Sequence, residues 1–399
     1  MKTSGLVSLE EALSLLSESI KPLQRTEQLP LDMAVGRVLA HDVRALHSTP
    51  PFDRATMDGY AVIVSDIQNA TNDNPVVLPV VEEIFAGSMP QQTLIPGQVS
   101  QISTGARLPR GAEAVVMVED TQRNGSYVSI RKTARHGDYF NLTGSDIKAG
   151  DLLLKDETML SPAKIGALAS QGLTHIEVYA KPKVAVMPTG EEIAALGKPL
   201  KDGQIFDINS NSVAAVIAQN GGEAWMLPIA GDDLIRLRSS LEQALTADIV
   251  ATTGGSSVGV KDYLSDLLAQ MGDIKYHGIR IKPGKPSAFA LVQGKPVLGL
   301  PGNPTSCLVN TYLLLAPSIR KMAHLPPARN ANTEATLAEN VRGVEGRTLF
   351  LPVLLQDGKA YNAFKGSGAI TSAAHADGYI VIPQDAELPS GCSVNVTLF

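Results

Sequence analysis

The chain has 399 residues, 44% of them hydrophobic and 19% charged, enough to bury more than one core and to form two to four domains. Its net charge of −6 and the lack of any lysine/arginine block argue against nucleic acid as the main partner, because phosphate-backbone affinity rests on clustered positive charge. No apolar run approaches the roughly 18–20 residues that span a bilayer, so the sequence points to no membrane partner and to a cytoplasmic protein whose anionic ligands are caught locally.

The first segment predicts an amphipathic helix rather than a signal peptide. Ser8 and Glu11 fit a capping box, and Leu9, Ala12, Leu13, Leu16 and Ile20 fall on one face. From Val76 to Ala134, short β-rich runs (VVLPVV, GQVSQIS, AVVMVED, SYVSIRK) punctuated by Gly and Pro predict a small β domain. The mixed patterns of residues 21–49 and 143–180 are expected to pair as a connecting domain.

From Lys183 to Ala323 strand and helix patterns alternate. VAVM, EAWMLPIA, DIVAT and KPVLGL read as strands, and SNSVAAVIAQN, DLIRLRSSLEQAL, the Leu264/Leu267/Leu268/Met271 segment and TSCLVNTYLLLAPSIRKMA as helices. This is an α/β pattern with a largely parallel sheet, in which ligands bind beyond the carboxyl ends of the strands. The turns PTGEE, AGDD, TTGGSS and GLPGNPTS collect there. After the proline-bearing stretch HLPPARNANT, the last seventy or so residues again read as short strands.

Two of those turns and the KPGKP segment carry anion-binding chemistry. Gly254-Gly255-Ser256-Ser257, between a strand and a helix, combines close backbone approach with two hydroxyls and helix-start amides. Lys282 and Lys285 flank the rigid Pro283-Gly284 pair, from which both ammonium groups could reach one anion. Pro301-Gly302-Asn303-Pro304 is a second stiff turn feeding a helix, whose Thr305 and Ser306 could add donors. Acids fall at other strand ends: Glu191, Glu192, Asp207, Asp232, Asp233 and Asp262. Their mutual repulsion would be relieved by a hard cation with oxygen ligands such as Mg²⁺; separate helix caps and solvated surface acids are the alternative for Asp207 and Asp233. In the first half, PPFDRATMDGYAV places Asp53 and Asp58 around a proline-led loop, and STGARLP, with Thr104, makes another. Cys307 and Cys392 lack any disulfide or zinc spacing, and Cys307 reads as a buried thiol.

PFDRATMDGYA, STGARLPRGAEAVV, PTGEEI, DGQIFDINS, TTGGSSVGVKDY, IKPGKPSAFA and GLPGNPTS occur in this order over residues 51–308. Together they resemble the molybdopterin molybdenumtransferase family, the MoeA/gephyrin type. The resemblance implies a multidomain α/β plus β fold: a connecting domain at 21–49 and 143–180, a small β domain at 50–142, a three-layer α/β molybdopterin-binding domain at 5–20 and 181–326, and a C-terminal β-barrel at 327–399. It implies insertion of molybdate into adenylylated molybdopterin with Mg²⁺-dependent release of AMP, by a homodimer whose sites are shared between subunits. Molybdopterin adenylyltransferase and apo-molybdoenzymes are the partners it suggests.

Position by position, the resemblance assigns Glu192, Asp232 and Asp262 to Mg²⁺ and ligand positioning, and Lys282 and Lys285 to anion holding. Asp58, as a catalytic-site acid, and Thr104 match functional positions of the β-domain face, and Asp146 is assigned to ligand binding. Gly254, Gly255, Ser256 and Ser257 would hold the phosphate end of the pterin, with Pro301, Gly302, Asn303 and Pro304 as the family's rigid turn. One departure stands out: YFNLTGSDI keeps Asp146 but has Asn141, Leu142 and Thr143 where arginines are usual, leaving anion binding there to a substitute such as Lys148, or to a paralogue of weakened activity. A scaffold role, as gephyrin also has, is the alternative function. It would tolerate loss of the acids and lysines, all of which are present here.

Overall fold

The computed structural model describes residues 5–231, 233–254, 263–329 and 331–399. They form two compact units: residues up to Glu27, Gly36–Val38 and Glu177–Phe399 in one, and Gln28–Val35 and Leu39–Ile176 in the other. The architecture is multidomain α/β plus β.

In the larger unit, a six-stranded sheet runs in the order Glu223–Met226, Lys183–Pro188, Ile249–Thr253, Lys295–Leu300, Ala288–Val292 and Gly272–His277. Its first four strands are parallel; Ala288–Val292 pairs antiparallel with the fourth, and Gly272–His277 pairs antiparallel with Ala288–Val292. Alternate residues serve opposite faces, as the period of two requires. Val184 and Val186 join Val213, Ile217, Leu314 and Ile319 on one side, with Ala12 and Leu16 of the N-terminal helix. Ala185 and Met187 join Leu237, Leu241, Leu264 and Leu268 on the other. A sheet covered on both faces reads as continuous apolar runs, which is why VAVM and KPVLGL lack alternation.

The N-terminal helix spans Leu9–Ser19, and Ser8 Oγ accepts from the Glu11 N–H as its capping side chain. The expected single helix over TSCLVNTYLLLAPSIRKMA is Pro304–Asn310, a π-helical turn Thr311–Leu315, and Ala316–Met322. EAWMLPIA is a strand only as far as Met226.

The C-terminal segment closes a five-stranded barrel. Thr348–Gln356, Lys359–Asn362, Asn332–Leu337, Ser393–Leu398 and Gly378–Ile382 follow in order, and the last pairs back onto the first. Ile281–Lys282 adds to this barrel in parallel with Thr348–Leu349.

In the smaller unit, a six-stranded sheet has the order Ala114–Met117, Gly59–Val62, Val99–Ile102, Val76–Ile84, Tyr127–Ile130 and Thr121–Asn124. All four expected β runs contain a strand of it. Beside it, Arg54 pairs with Asn141 on one side and with Arg107 on the other, making a short three-stranded ribbon. No helix among the described residues is long and apolar enough to cross a membrane.

Candidate functional site

In the larger unit the carboxyl ends of the central parallel strands converge on Gly254. This residue has φ +97°, and a Cβ there would lie 2.8 Å from the Thr189 carbonyl oxygen and 3.0 Å from Thr189 Oγ1, so only glycine fits. Its N–H donates to the Leu300 carbonyl at 3.2 Å, tying the TTGG turn to the strand that ends in Pro301. Gly302 packs against it, 3.6 Å from the Gly254 Cα to where a Cβ would stand. Asn209 Nδ2 fixes that second turn by donating to the Gly302 carbonyl at 2.7 Å. Gly254, Pro301, Gly302 and Asn303 thus lie on two turns that pack together. Gly255, Ser256, Ser257, Asp232 and Asp262 lie outside the described residues.

The PTGEE turn borders the same rim. Thr189 N–H donates to the Thr253 carbonyl at 3.0 Å, and the Glu192 carboxylate folds over Gly190, where a Cβ would come within 2.7 Å of both its oxygens. Gly190, at φ +130°, is therefore what lets that carboxylate sit there. Glu192 is exposed. Two other strand-end acids are helix caps: Asp207 Oδ1 accepts from the Ser210 N–H at 3.0 Å and Asp233 Oδ1 from the Arg236 N–H at 2.9 Å. Among the described residues no three His, Cys, Asp or Glu side chains converge as a metal site, and of the three acids expected to hold Mg²⁺ only Glu192 is described.

The KPGKP turn is held by a buried amide. Asn310 Nδ2 donates to the Gly284 carbonyl at 3.2 Å and to the Ser306 carbonyl at 2.9 Å. A Cβ on Gly284, at φ +112°, would come 2.0 Å from that nitrogen. The Lys285 carbonyl accepts from the Ile279 and Ser287 N–H groups, each at 3.0 Å, while Lys282 lies on the strand paired to the barrel. Both lysines are at least partly exposed, and neither has a carboxylate partner among the described residues.

The barrel reaches this rim through Lys365-Gly366-Ser367-Gly368, a contribution sequence reasoning missed. Ser367 Oγ accepts from Asn303 Nδ2 at 3.1 Å and the Ser367 carbonyl from the Thr305 N–H at 3.1 Å. Thr305 Oγ1 donates to the Ala369 carbonyl at 2.8 Å. This corrects the expectation that Thr305 and Ser306 supply free donors: both are buried, and the donors of Thr305 are already engaged. The only hint in sequence was the Gly-Ser-Gly tripeptide itself. Cys307 is inert, its thiol pushed up to about 12 by burial.

In the smaller unit, Asp58 and Thr104 meet. Asp58 Oδ1 accepts from the Thr104 N–H at 2.6 Å, and hydrogen bonds from the Thr104 backbone and then its side chain hold the carboxyl below the usual aspartate range. Asp146 is exposed beyond the Thr49 carbonyl, to which its N–H donates at 3.0 Å. Thr143 is bound by Asp53, whose Oδ1 accepts from both its N–H and its Oγ1, each at 2.8 Å. The Lys148 stem packs beside Gly144.

The sequence of the whole chain matches known families. Residues 7–172 match the MoeA N-terminal region (domain I and II), 185–321 a probable molybdopterin binding domain, and 334–399 the MoeA C-terminal region (domain IV). The chain belongs to the molybdopterin molybdenumtransferase family. Molybdopterin molybdenumtransferase 2 of Mycobacterium tuberculosis is 34% identical over 98% of each chain. The Nostoc molybdopterin molybdenumtransferase is 40% identical over 76% of this chain and 70% of its own length. A molybdopterin biosynthesis MoeA protein of Pyrococcus horikoshii has the same fold, with a TM-score of 0.86, 39% identity and 99% of both chains covered.

Proposed function

We propose that this chain is a molybdopterin molybdenumtransferase that inserts molybdate into adenylylated molybdopterin and releases AMP in an Mg²⁺-dependent reaction. The observation that carries this reading is that the Gly254 and Gly302 turns pack together at the strand ends, and that Asn310, at the end of the helix following the second turn, pins the KPGKP turn, in a chain that belongs to this family. Molybdate is already an oxyanion, so the site needs positioning and charge neutralisation rather than a strong nucleophile. Lys282 and Lys285 would hold anionic oxygens from a turn that loses little entropy on binding, because Asn310 has already fixed it. Backbone at Gly254 would approach the pterin phosphate closely, and Glu192, with Asp232 and Asp262, would orient the ligand.

Mg²⁺ takes hard oxygen donors, and among the described residues none donates a hydrogen bond to the two carboxylate oxygens of Glu192. Bound there, the ion would neutralise charge between phosphate and carboxylate. We further propose a homodimer whose composite sites bring Asp58 and Thr104 of one subunit to the strand-end rim of the other, with apo-molybdoenzymes receiving the product.

The test is incubation with adenylylated molybdopterin, molybdate and Mg²⁺, following AMP release and reconstitution of an apo-molybdoenzyme. AMP release that stops in excess chelator is expected. No AMP and no reconstitution would overturn the transferase reading in favour of a binding or scaffold role.

A further inference from the structure

We propose that a cavity in the small β domain, walled by Met89–Thr93 and Leu108–Ala112, is an oxyanion subsite in which Arg107 and Arg110 grip a tetrahedral anion of the phosphate or molybdate kind. Its chemistry is read from the cavity, and its place in the reaction rests on the function proposed above.

The cavity encloses about 450 Å³, and Asp53 and Thr143 complete its lining. Its backbone is fixed on both sides of the arginines. Leu108 N–H donates to the Asp53 carbonyl, and Leu94 N–H to the Arg110 carbonyl, each at 2.8 Å. Gly111, at φ +87°, lies so close to the Leu94 carbonyl that a Cβ would be 2.2 Å from its oxygen. Arg107 is braced by apolar and soft groups: its guanidinium carbon stands 5.5 Å from the Phe52 ring centroid, and one terminal nitrogen donates to Met89 Sδ at 3.5 Å.

That bracing sets the guanidinium in place while giving its N–H groups only a weak sulfur acceptor. Among the described residues neither Arg107 nor Arg110 has a carboxylate partner, whereas Arg123 pairs with Glu83 and Arg342 with Glu387. The acid in the cavity, Asp53, spends one oxygen on both donors of Thr143. Among the lining residues two cations face one engaged carboxylate, and the neighbouring acid, Glu82, spends its oxygens on the Gln91 and Gln92 N–H groups of the wall; planar guanidinium forks match the oxygens of a tetrahedral dianion.

The location of the pair also accounts for the departure at residues 141–143. Arg54 is paired with Asn141 on one strand and Arg107 on the other, so positions 141 and 107 project to one face of the ribbon. Thr143 lines the cavity itself. Positive charge absent from the 141–143 strip is therefore supplied beside it by the neighbouring STGARLPRG segment.

The test uses the full chain and three probes, sodium molybdate, inorganic pyrophosphate and AMP, titrated calorimetrically at low and high ionic strength. At least one should bind the parent in a salt-sensitive manner and bind an Arg107→Gln/Arg110→Gln variant tenfold or more weakly, and the probe affected tells molybdate from phosphate. An Arg123→Gln/Arg342→Gln variant, with the same change in net charge, should bind like the parent. Adding Thr143→Arg to the weakened variant should restore affinity. If no probe binds the parent, or if both double variants bind alike, the subsite is refuted. AMP release separates this from the function: an active parent with arginine-independent binding refutes the subsite alone, and an inactive parent with arginine-dependent binding refutes the transferase reading alone.

Discussion

The Thr104 N–H donates a 2.6 Å hydrogen bond to Asp58 Oδ1, joining two loops that lie 46 residues apart in sequence. A hydrogen bond to the ionised form favours it, so the carboxyl's folded pKa lies below its unfolded value of about 3.9. The contribution to stability is then fully present above that unfolded value and lost as pH falls through the folded pKa.

Carboxyl-carbon NMR should place the Asp58 midpoint below that of the ordinary surface aspartates. Thr104→Ala, which keeps the backbone donor and removes the side-chain one, should raise it only partway. The stability difference between the parent and Asp58→Asn should shrink as pH drops below about 4. A midpoint in the normal range would mean the Thr104 contact does not persist in solution.

Gly284 and Gly203 separate two effects of adding a methyl group. Both have positive φ, but a Cβ on Gly203 meets open space, while on Gly284 it would come 2.0 Å from Asn310 Nδ2. Gly203→Ala should cost about 1 kcal/mol, the ordinary penalty of a left-handed residue. Gly284→Ala should cost at least about 2 kcal/mol, since moving Asn310 also leaves the Gly284 carbonyl without its buried donor. Equal losses in denaturant titrations would show that the Asn310 clamp is not stabilising.

Lys282→Ala and Lys285→Ala should each weaken binding of the phosphorylated pterin by about 1–3 kcal/mol, the usual range for a charge-assisted hydrogen bond. Fold stability should change little, because among the described residues neither ammonium group has a carboxylate partner to lose. Parent-like affinity in both variants would make the turn a purely structural link between sheet and barrel.

What was legible in the sequence was set by local rules. The apolar runs around Val184–Met187 and Ile249–Thr253, and the Ser8/Glu11 cap, became the expected strands and helix. Strand Gly272–His277 follows the helix Tyr263–Met271 directly, its Gly272-Asp273 start reading locally as a turn, and is held by pairing with Ala288–Val292. The π-helical turn at Thr311–Leu315 is hidden because its apolar residues fit an ordinary helix as well. Contacts such as Thr305 with Ser367, and the shared cavity of Arg107, Arg110 and Thr143, depend on tertiary pairing that no local pattern encodes.

The last prediction concerns assembly. If each site combines the strand-end rim of one subunit with the Asp58–Thr104 face of its partner, two-fold symmetry gives every dimer two equivalent composite sites. Asp58→Asn and Glu192→Gln should each abolish activity alone, since each damages both sites of its homodimer. In a mixed dimer, one chain carrying each substitution, both lesions fall in one site and the second is left with both acids. Random pairing after joint unfolding and refolding makes half the dimers mixed, each with one intact site, so activity should recover to about a quarter of the parent's. Light scattering on the refolded sample establishes that it is dimeric. If a dimeric mixture remains as inactive as either variant alone, each site is built within a single chain and the shared-site proposal fails.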